Sequence, residues 1–317
     1  MENKSKVTHR ILLLAGNGNL FKFDNTENYF VDVDDVYKNF KGKMKIIALS
    51  IRKFMFMFNT DIIVAWLGEW INKVDNYDTV IIFDSNLKIA IVKYLNKHYP
   101  KVRVIVYYRN SVRDLGRLQP EKLRKYNCEL WSYNINDCTE YSFKYNRQVW
   151  NPKVLKGLLK KKEKVLYDVI FIGADKNRVD TLISLYSIFH NKGLRTYFYL
   201  ISNKIISFDE NKDNKYMPYD SYLELVNKSN AILDLVSQNN YGLTLRPLEA
   251  LFLNKKLITN YKQIRDYDFY NKNNIFILDY DNYGDLDDFI KTPYVEIDST
   301  IVNKYDLNNW VERFFEL

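Results

Sequence analysis

Residues 167–178 read YDVIFIGADKNR and contain a complete strand-to-helix junction. The run of aromatic and β-branched residues is typical of a buried strand, and Gly173 begins a polar turn. Residues 178–192 then have the apolar spacing of a helix, and residues 196–201 return to a strand pattern. A strand, a helix and a second strand at this spacing predict a parallel α/β unit.

The same alternation extends along the chain in both directions. It predicts strands at 10–15, 77–83, 102–108, 231–236 and 256–259 and helices at 87–98, 220–229 and 247–253. The basic stretch KVLKGLLKKKEK at 153–164 lacks strand character. We therefore predict an α/β protein with two Rossmann-like doubly wound domains, whose ligands would lie at the carboxyl ends of the strands. The domains are expected at 1–150 and 167–300, with a linker at 151–166 and a C-terminal helix at 301–317.

The composition agrees with a folded chain of this size. The 317 residues are 47% hydrophobic and 27% charged, which is enough apolar material for two cores. The longest apolar runs are far shorter than the roughly 20 residues of a membrane-spanning helix, and the polar N-terminus lacks the apolar run of a secretory signal. With only two cysteines, Cys128 and Cys138, neither a disulfide framework nor a structural zinc site is expected. We expect a cytoplasmic protein.

The positive charge is confined to one half of the chain. Residues 1–150 carry 24 lysines and arginines against 16 aspartates and glutamates, a net charge of +8, whereas residues 151–317 carry 23 of each kind. This asymmetry favours an anionic partner for the first half: a membrane surface, a lipid phosphate or a nucleic acid. Residues 43–58, KMKIIALSIRKFMFMF, have the pattern of a basic amphipathic helix, which either packs on its own domain or lies on an anionic membrane surface.

The turn after the strand at 167–172 has the chemistry of an anion site. Gly173 lets a ligand approach the backbone, the first N–H groups of the following helix are unpaired, and Lys176 and Arg178 add full positive charges. A diphosphate fits such a turn. An ordinary strand-to-helix turn with two solvated cations is the alternative.

A second turn of this kind lies in DLVSQNNYGLTLRPLEA, residues 234–250. Pro247 is typical of a first helical turn, so Thr244 or Arg246 would precede the helix and Glu249 would lie in its first turn. A helix N-terminus with an arginine suits a phosphate, and a glutamate there can accept two hydrogen bonds from a ribose. Ordinary capping explains the same residues, because the helix dipole favours a glutamate in the first turn.

Three segments, YDVIFIGADKNR, MPYDSYLELVNKSNAILDLV and GLTLRPLEALFLNKKLITN, together carry a resemblance to a known family. They resemble the donor domain of bacterial GT-B glycosyltransferases. These enzymes build capsular polysaccharide, exopolysaccharide or lipopolysaccharide. The resemblance covers about residues 167–280, and it extends more weakly to the first half through TVIIFDS, VIVYYRNS and LWSYNINDCTEY. It implies two Rossmann-like domains facing across a cleft and transfer of a sugar from a nucleotide diphosphate sugar, with UDP favoured. The nucleotide sugar would be a substrate, and neither a cofactor nor a metal is expected.

The resemblance also implies roles for individual residues. Glu249 would hold the nucleotide ribose, and the backbone at 217–219 would meet the base. The expected donor-binding residues are Gly173, Lys176, Arg178, Tyr219, Gln238, Gly242, Thr244, Arg246 and Glu249. Many retaining enzymes of this kind carry a second glutamate eight residues before the ribose-binding one. Here that position is Tyr241, so retention of configuration is left open.

A catalytic base is harder to assign. The three histidines precede the first strand or lie on helices, so an inverting reaction would need a carboxylate as its base. The candidates are Asp84, which follows a strand, and Asp137, which lies in a polar run; helix capping is the alternative for both. Four Asp-x-Asp pairs are expected to be solvated turns rather than metal ligands; they lie at 32/34, 266/268, 279/281 and 285/287.

The candidates on the acceptor side are the loop Gly16-Asn17-Gly18 and the strand-end residues Arg109 and Asn110. We expect a polyprenyl-diphosphate-linked sugar as the acceptor and a peripheral location on the inner face of the cell membrane. A nucleotide-sugar epimerase of the same fold is one alternative, and it would turn over the donor alone. A nucleic-acid-binding protein is another, but it predicts basic and aromatic residues on one platform. The 26 tyrosines are scattered instead, so no nucleic acid is expected as a partner.

Overall fold

The computed structural model divides the chain into two compact units. The first contains residues 1–151 and 310–317, and the second contains residues 152–309. The residues that the structure describes are 8–15, 21–38, 66–115, 120–155, 157, 163–201, 208, 216–236 and 242–316. The amphipathic helix predicted at 43–58 lies outside the described residues.

The first unit is built on a six-stranded parallel sheet with the order β2-β1-β3-β4-β5-β6. Its strands are β1 His9–Leu14, β2 Tyr29–Asp34, β3 Thr79–Phe83, β4 Arg103–Tyr108, β5 Glu129–Ser132 and β6 Lys144–Tyr145. In register, Val80 of β3 lies between Leu12 of β1 and Val104 of β4. Every residue of β3 is buried, as expected for a central parallel strand that is covered on both faces.

Short helices connect the strands of this unit. They are α1 Ile89–His98, α2 Val112–Leu115, α3 Pro120–Leu123 and α4 Ile135–Glu140, with 3-10 helices at Glu69–Asn76 and Asp84–Asn86. Helix α1 buries Ile91, Val92 and Leu95 in the core, which is the stripe that its apolar spacing predicts.

The second unit is built on a five-stranded parallel sheet with the order β11-β10-β9-β7-β8. Its strands are β7 Tyr167–Ala174, β8 Thr196–Ile201, β9 Ser229–Asp234, β10 Lys256–Thr259 and β11 Ile275–Ile277. Its helices are α5 Val179–Asn191, α6 Tyr219–Asn227, α7 Leu245–Phe252, α8 Leu286–Lys291 and α9 Ser299–Asn303. It also has 3-10 helices at Pro152–Leu155, Lys262–Asp266 and Tyr283–Asp285.

In both sheets the strand order reverses beside the first strand of the unit. In the second unit, β8 pairs with one side of β7 and β9 pairs with the other. The chain therefore leaves β7 and β9 in opposite directions, and a crevice opens at their carboxyl ends. Gly173 near the end of β7 and Asp234 at the end of β9 lie at this edge. In the first unit the corresponding strands are β1 and β3, and Asp84 follows β3.

The C-terminal segment packs on the first unit. Helix α10, Leu307–Glu312, is shorter than the helix predicted at 301–317. Trp310 and Phe314 are buried and meet the ring of Tyr107 edge-on, with ring centroids 5.1 and 6.1 Å apart. The backbone carbonyls of both residues also accept hydrogen bonds, from Asn146 and Arg103 respectively, at 3.0 Å.

The predicted fold class, α/β with two doubly wound domains, is confirmed, but four strands were missed. Strand β2 reads YFVDVD, in which acidic residues alternate with apolar ones because it lies at an edge of the sheet. Strand β5 begins with Glu129, and β6 and β11 contain only two and three residues. Strands this short carry no periodicity that sequence reasoning can detect.

Glu129 connects several elements of the first unit. Its carboxylate accepts two hydrogen bonds from the guanidinium of Arg103, at 2.6 and 2.9 Å, one from the indole of Trp131 at 3.0 Å and one from Lys144 at 3.2 Å. Burial alone would raise the pKa of Glu129, but these hydrogen bonds lower it from 4.5 to about 2. Because Arg103 also donates to Phe314, this ion pair joins strands β4, β5 and β6 to the C-terminal segment.

We predict that Glu129→Gln lowers the free energy of unfolding at pH 7 by about 2 kcal/mol, because it removes hydrogen bonds to a charged group. A carboxylate whose pKa is lower in the folded state stabilises the protein above its unfolded pKa of 4.5, and this contribution disappears as the pH falls towards 2. The wild type should therefore lose more stability than the variant between pH 5 and pH 2 in urea titrations. Glu140→Gln, in the exposed pair with Arg113, is the control, and equal losses in both variants would contradict the prediction.

Candidate functional site

A pocket of about 260 Å³ lies at the carboxyl edge of the second sheet. Strands β7 and β8 and helices α6 and α7 all contribute to its wall. The lining residues are Ile172, Gly173, Ile201, Tyr216, Met217, Tyr219, Tyr222, Leu245, Arg246 and Glu249. The pocket lies at the carboxyl ends of parallel strands, where ligands bind in doubly wound sheets.

Gly173 is required by the close approach of two arginines. A Cβ atom at this position would lie 2.6 Å from Nη2 of Arg246 and 3.2 Å from Nη2 of Arg178. Both guanidiniums also lie over the ring of Phe171, at 5.5 Å for Arg246 and 5.1 Å for Arg178. The two guanidinium groups therefore lie next to the backbone at Gly173, which has no side chain.

The two arginines are anchored by backbone carbonyls and by one carboxylate. Arg246 donates to the carbonyl of Ile172 at 2.5 Å, and its Nη1 lies 3.5 Å from the carboxylate of Asp234. Arg178 donates to the carbonyls of Ala174, at 2.9 and 3.1 Å, and of Leu235. Burial, together with the nearby charge of Arg246, lowers the pKa of Arg178 to about 10. The two like charges favour an anion that would sit between or beside them.

Asp234 is fully buried at the end of β9. Its carboxylate accepts a hydrogen bond from the hydroxyl of Thr244 at 3.1 Å and faces Arg246. Burial raises the pKa of Asp234, although both neighbours oppose the shift. Sequence reasoning gave this residue no role. An aspartate as the last residue of an otherwise apolar strand was the signal that could have found it.

Glu249 is 2% exposed and lies in the pocket wall. It accepts hydrogen bonds from the hydroxyls of Tyr219, at 2.7 Å, and Tyr222. Burial raises the pKa of Glu249, although the two tyrosine hydroxyls oppose the shift. Tyr222 was also missed by sequence reasoning, and its position three residues after Tyr219 on a helix was the available signal.

Helix α7 begins two residues earlier than the sequence predicted. Thr244 is its N-cap residue, and Leu245 is its first helical residue. Pro247 is therefore the third helical residue, which is allowed because the first four N–H groups of a helix have no partner within it. As a consequence, Glu249 lies in the second turn rather than the first. The hydroxyl of Thr244 does not cap the helix but donates to Asp234.

Four of the nine predicted donor-binding residues line the pocket together; they are Gly173, Tyr219, Arg246 and Glu249. A fifth, Arg178, lies next to Gly173.

Three other predicted donor-binding residues are described by the structure but do not line the pocket; they are Lys176, Gly242 and Thr244. Lys176 is exposed in a tight turn in which Lys176 and Asn177 have φ angles of 43° and 61°. Gln238 and Tyr241 lie outside the described residues.

In the first unit, three predicted residues meet at the carboxyl edge of the sheet. Asp84 is 1% exposed, and its carboxylate accepts a hydrogen bond from the side chain of Asn110 at 3.0 Å. The guanidinium of Arg109 lies 4.9 Å from the ring of Phe83 and 5.7 Å from the ring of Phe21. Burial raises the pKa of Asp84, although Asn110 opposes the shift, and burial lowers the pKa of Arg109.

Asp137 makes the contacts of a residue that caps the start of a helix. It is buried in α4 and accepts hydrogen bonds from the N–H of Val112 at 3.0 Å and from the hydroxyl of Ser111 at 3.4 Å. These groups begin helix α2, so the geometry matches the capping alternative that the sequence left open. The predicted acceptor loop Gly16-Asn17-Gly18 lies outside the described residues.

The Asp-x-Asp pairs are engaged with neighbouring groups. Asp32 accepts a hydrogen bond from Tyr77 at 2.5 Å, and Asp268 accepts one from Tyr305 at 2.5 Å. Asp281 accepts one from the N–H of Ile277 at 2.6 Å. Across the part of the chain that the structure describes, no group of three or more His, Cys, Asp or Glu side chains is arranged to hold a metal ion. The helices of that same part are all too short or too polar to cross a membrane.

No protein-family model and no curated protein matches the chain. Among solved structures it is similar to an α-glucosyltransferase in complex with UDP and a 13-mer DNA containing a central A:G mismatch. That match has a TM-score of 0.50 and 14% identity, and it covers 96% of this chain and 94% of the other. The chain has the GT-B fold. A sucrose-phosphate synthase from Thermosynechococcus elongatus gives a TM-score of 0.49 at 9% identity, over 96% and 97% of the two chains. An α1,3-fucosyltransferase with GDP gives 0.43 at 11% identity, over 97% and 84%.

We predict that Arg246→Met lowers the free energy of unfolding by about 3 kcal/mol, because it leaves the carboxylate of Asp234 buried without its cation. Urea unfolding of the wild type and the variant measures this loss. Arg265→Met is the matched control, since that exposed guanidinium contacts the ring face of Tyr280, at 4.2 Å, and the carbonyl of Lys262, at 3.3 Å, and pairs with no buried carboxylate among the described residues. A similar small loss in both variants would show that the Arg246–Asp234 pair contributes little.

Proposed function

We propose that this protein is a glycosyltransferase and that its second unit binds a nucleoside diphosphate sugar. The observation that carries the proposal is the presence of Arg246 and Glu249, three residues apart on helix α7, in the wall of one pocket. A guanidinium suits a diphosphate, and a buried carboxylate suits the hydroxyls of a ribose. The two groups match the two polar parts of a nucleoside diphosphate.

The anionic part of this ligand would lie against Gly173. Arg246 and Arg178 both lie next to that backbone, and helix α7, whose first N–H groups have no partner within the helix, starts in the pocket wall. In the transfer reaction these groups would stabilise the charge that develops on the leaving diphosphate, without a metal ion. Lys176 would add a mobile charge from the turn after β7. UDP is the favoured nucleotide, in keeping with the ligand of the α-glucosyltransferase of similar fold.

The first unit would bind the acceptor. Asp84 is the favoured catalytic base, because it is buried beside Asn110 at the carboxyl edge of the sheet, and Arg109 would face a phosphate of the acceptor. The net charge of +8 on residues 1–150 supports an anionic acceptor. We propose a polyprenyl-diphosphate-linked sugar at the inner face of the cell membrane, in the synthesis of capsular polysaccharide, exopolysaccharide or lipopolysaccharide.

DNA is a second candidate acceptor. It is favoured by the same positive charge and by the DNA that accompanies UDP in the α-glucosyltransferase of similar fold. The two candidates differ in a measurable way, because DNA binding would weaken steeply with salt in proportion to the phosphates contacted. Transfer of label from a UDP-sugar to duplex DNA, set against transfer to a polyprenyl-diphosphate-linked monosaccharide, decides between them. Turnover of the donor with neither acceptor would favour an epimerase.

We predict that the protein binds UDP or GDP and that Glu249→Gln weakens this binding at least tenfold, because hydrogen bonds to a charged acceptor contribute about 1.5–3 kcal/mol. Isothermal titration calorimetry with both nucleotides measures the effect. Glu224→Gln, an exposed position on helix α6, is the control and should bind as the wild type does. Unchanged affinity in a folded Glu249→Gln protein, or no binding to the wild type, would remove the basis of the proposed donor site.

We further predict that Asp84→Asn lowers the rate of sugar transfer about 100-fold or more and leaves nucleotide affinity unchanged, because a general base contributes only to the chemical step. Since burial raises the pKa of Asp84 above its usual 3.8, the wild-type rate should rise with pH through a pKa above that value. Asp75→Asn, an exposed carboxylate of the same unit, is the control. A variant with full activity would exclude Asp84 as the base.

A further inference from the structure

The carboxylate of Glu249 accepts hydrogen bonds from two tyrosine hydroxyls. Tyr219 donates to Oε1 at 2.7 Å, and Tyr222 donates to Oε2. One hydroxyl on each oxygen of a carboxylate is also the arrangement in which a vicinal diol binds. The two tyrosines therefore occupy the positions that the two hydroxyls of a ribose would take.

These hydrogen bonds satisfy a buried carboxylate. Glu249 is 2% exposed, and a buried carboxylate without donors would cost several kcal/mol. The two tyrosine hydroxyls supply one donor to each of its oxygens. A ribose that binds the same oxygens must share their remaining lone pairs or displace a tyrosine.

The two tyrosines differ in their freedom to move. Tyr222 lies one turn inside helix α6 and is 9% exposed, next to the fully buried Leu223 and Val226. Tyr219 is the first residue of that helix and is only partly buried. It follows Tyr216, which is 79% exposed at the same pocket. A rotation of Tyr219 breaks its ring stacking on Tyr222, with centroids 5.7 Å apart, at the start of the helix, whereas a rotation of Tyr222 would open the core.

Building on the proposed function, we propose that Tyr219 competes with ribose in the donor site and so weakens the discrimination between ribose and deoxyribose: its hydroxyl occupies Oε1 of Glu249 until a ribose hydroxyl displaces it. Tyr222 remains in place and holds Oε2. Binding of a ribonucleotide then exchanges one O–H donor for another at Glu249. A deoxynucleotide that lacks the displacing hydroxyl leaves Tyr219 on the carboxylate, so the wild type tolerates it comparatively well.

Tyr219→Phe removes the competing hydroxyl. It therefore tests both the affinity for UDP and the preference for UDP over its deoxy forms. UDP should bind the variant about fivefold more tightly, because its ribose no longer displaces a hydrogen bond of about 1 kcal/mol. The preference for UDP over a deoxy form should also grow about tenfold, since in the variant that deoxynucleotide leaves Oε1 buried without a donor. The comparison uses 2′-deoxy-UDP and 3′-deoxy-UDP, and the effect is expected for the one that lacks the hydroxyl facing Oε1.

The experiment is calorimetric titration of the wild type, Tyr219→Phe and Tyr280→Phe with UDP and both deoxy forms, with the GDP series in parallel. Tyr280→Phe removes an exposed hydroxyl that does not line the pocket, and it should match the wild type. Circular dichroism and thermal unfolding establish that each variant is folded, and Tyr219→Leu replaces Tyr219→Phe if that variant does not fold.

The possible outcomes separate this inference from the proposed function. Weaker UDP binding in Tyr219→Phe, or an unchanged ratio of UDP to both deoxy forms, would show that Tyr219 positions Glu249 rather than competing with ribose, and would overturn the inference alone. Absence of binding of UDP and GDP to the wild type and to Tyr219→Phe would overturn the proposed donor site itself.

Discussion

The parallel pairing of β7 with both β8 and β9 is the constraint on which the second unit depends. Parallel neighbours require crossover connections, and here those connections leave β7 and β9 in opposite directions. The crevice between the two strand ends is therefore a consequence of topology. Gly173 reaches the pocket from a strand end, and Arg246 and Glu249 reach it from helix α7. Strands β1 and β3 place Asp84 in the same relation to the first sheet.

The two guanidinium groups at this edge of the sheet are held in place by other groups of the protein. Arg178 and Arg246 lie beside the same glycine and over the same ring, yet the nearest carboxylate is Asp234, which already accepts a hydrogen bond from Thr244. Backbone carbonyls accept further hydrogen bonds from both guanidiniums, while Nε of Arg246 is buried without a hydrogen-bond partner among the described residues. Such an arrangement keeps two cations close together at an energetic cost. Its role is better explained by the binding of an anion than by a contribution to stability.

Glu249 shows how much of the site lay within reach of sequence reasoning. Its position after a Gly, a Thr and an Arg at a helix start was enough to mark it as a candidate ligand for ribose, and the structure places it in the pocket. Its two tyrosine partners could not be derived, because Tyr219 and Tyr222 belong to a different helix, 30 and 27 residues earlier in the chain. For Asp137 the sequence left catalysis and helix capping open, and only the structure shows that its carboxylate accepts a hydrogen bond at the start of helix α2.

The sequence by itself determined the α/β class, the central strands of both sheets and the two strand-to-helix turns suited to an anion, because apolar periodicity and glycine-to-helix junctions are local properties of the chain. It did not reveal β6, whose two residues are defined only by the neighbour that pairs with them, and the alternation in the edge strand β2 was a local signal that was missed. Tertiary structure alone decided which side chains share the pocket. It brought Arg178 and Arg246, 68 positions apart in the numbering, to the same glycine, and it placed two tyrosine hydroxyls on one buried carboxylate. Contacts of this kind depend on strand order and on helix packing across the sheet, which no local pattern encodes.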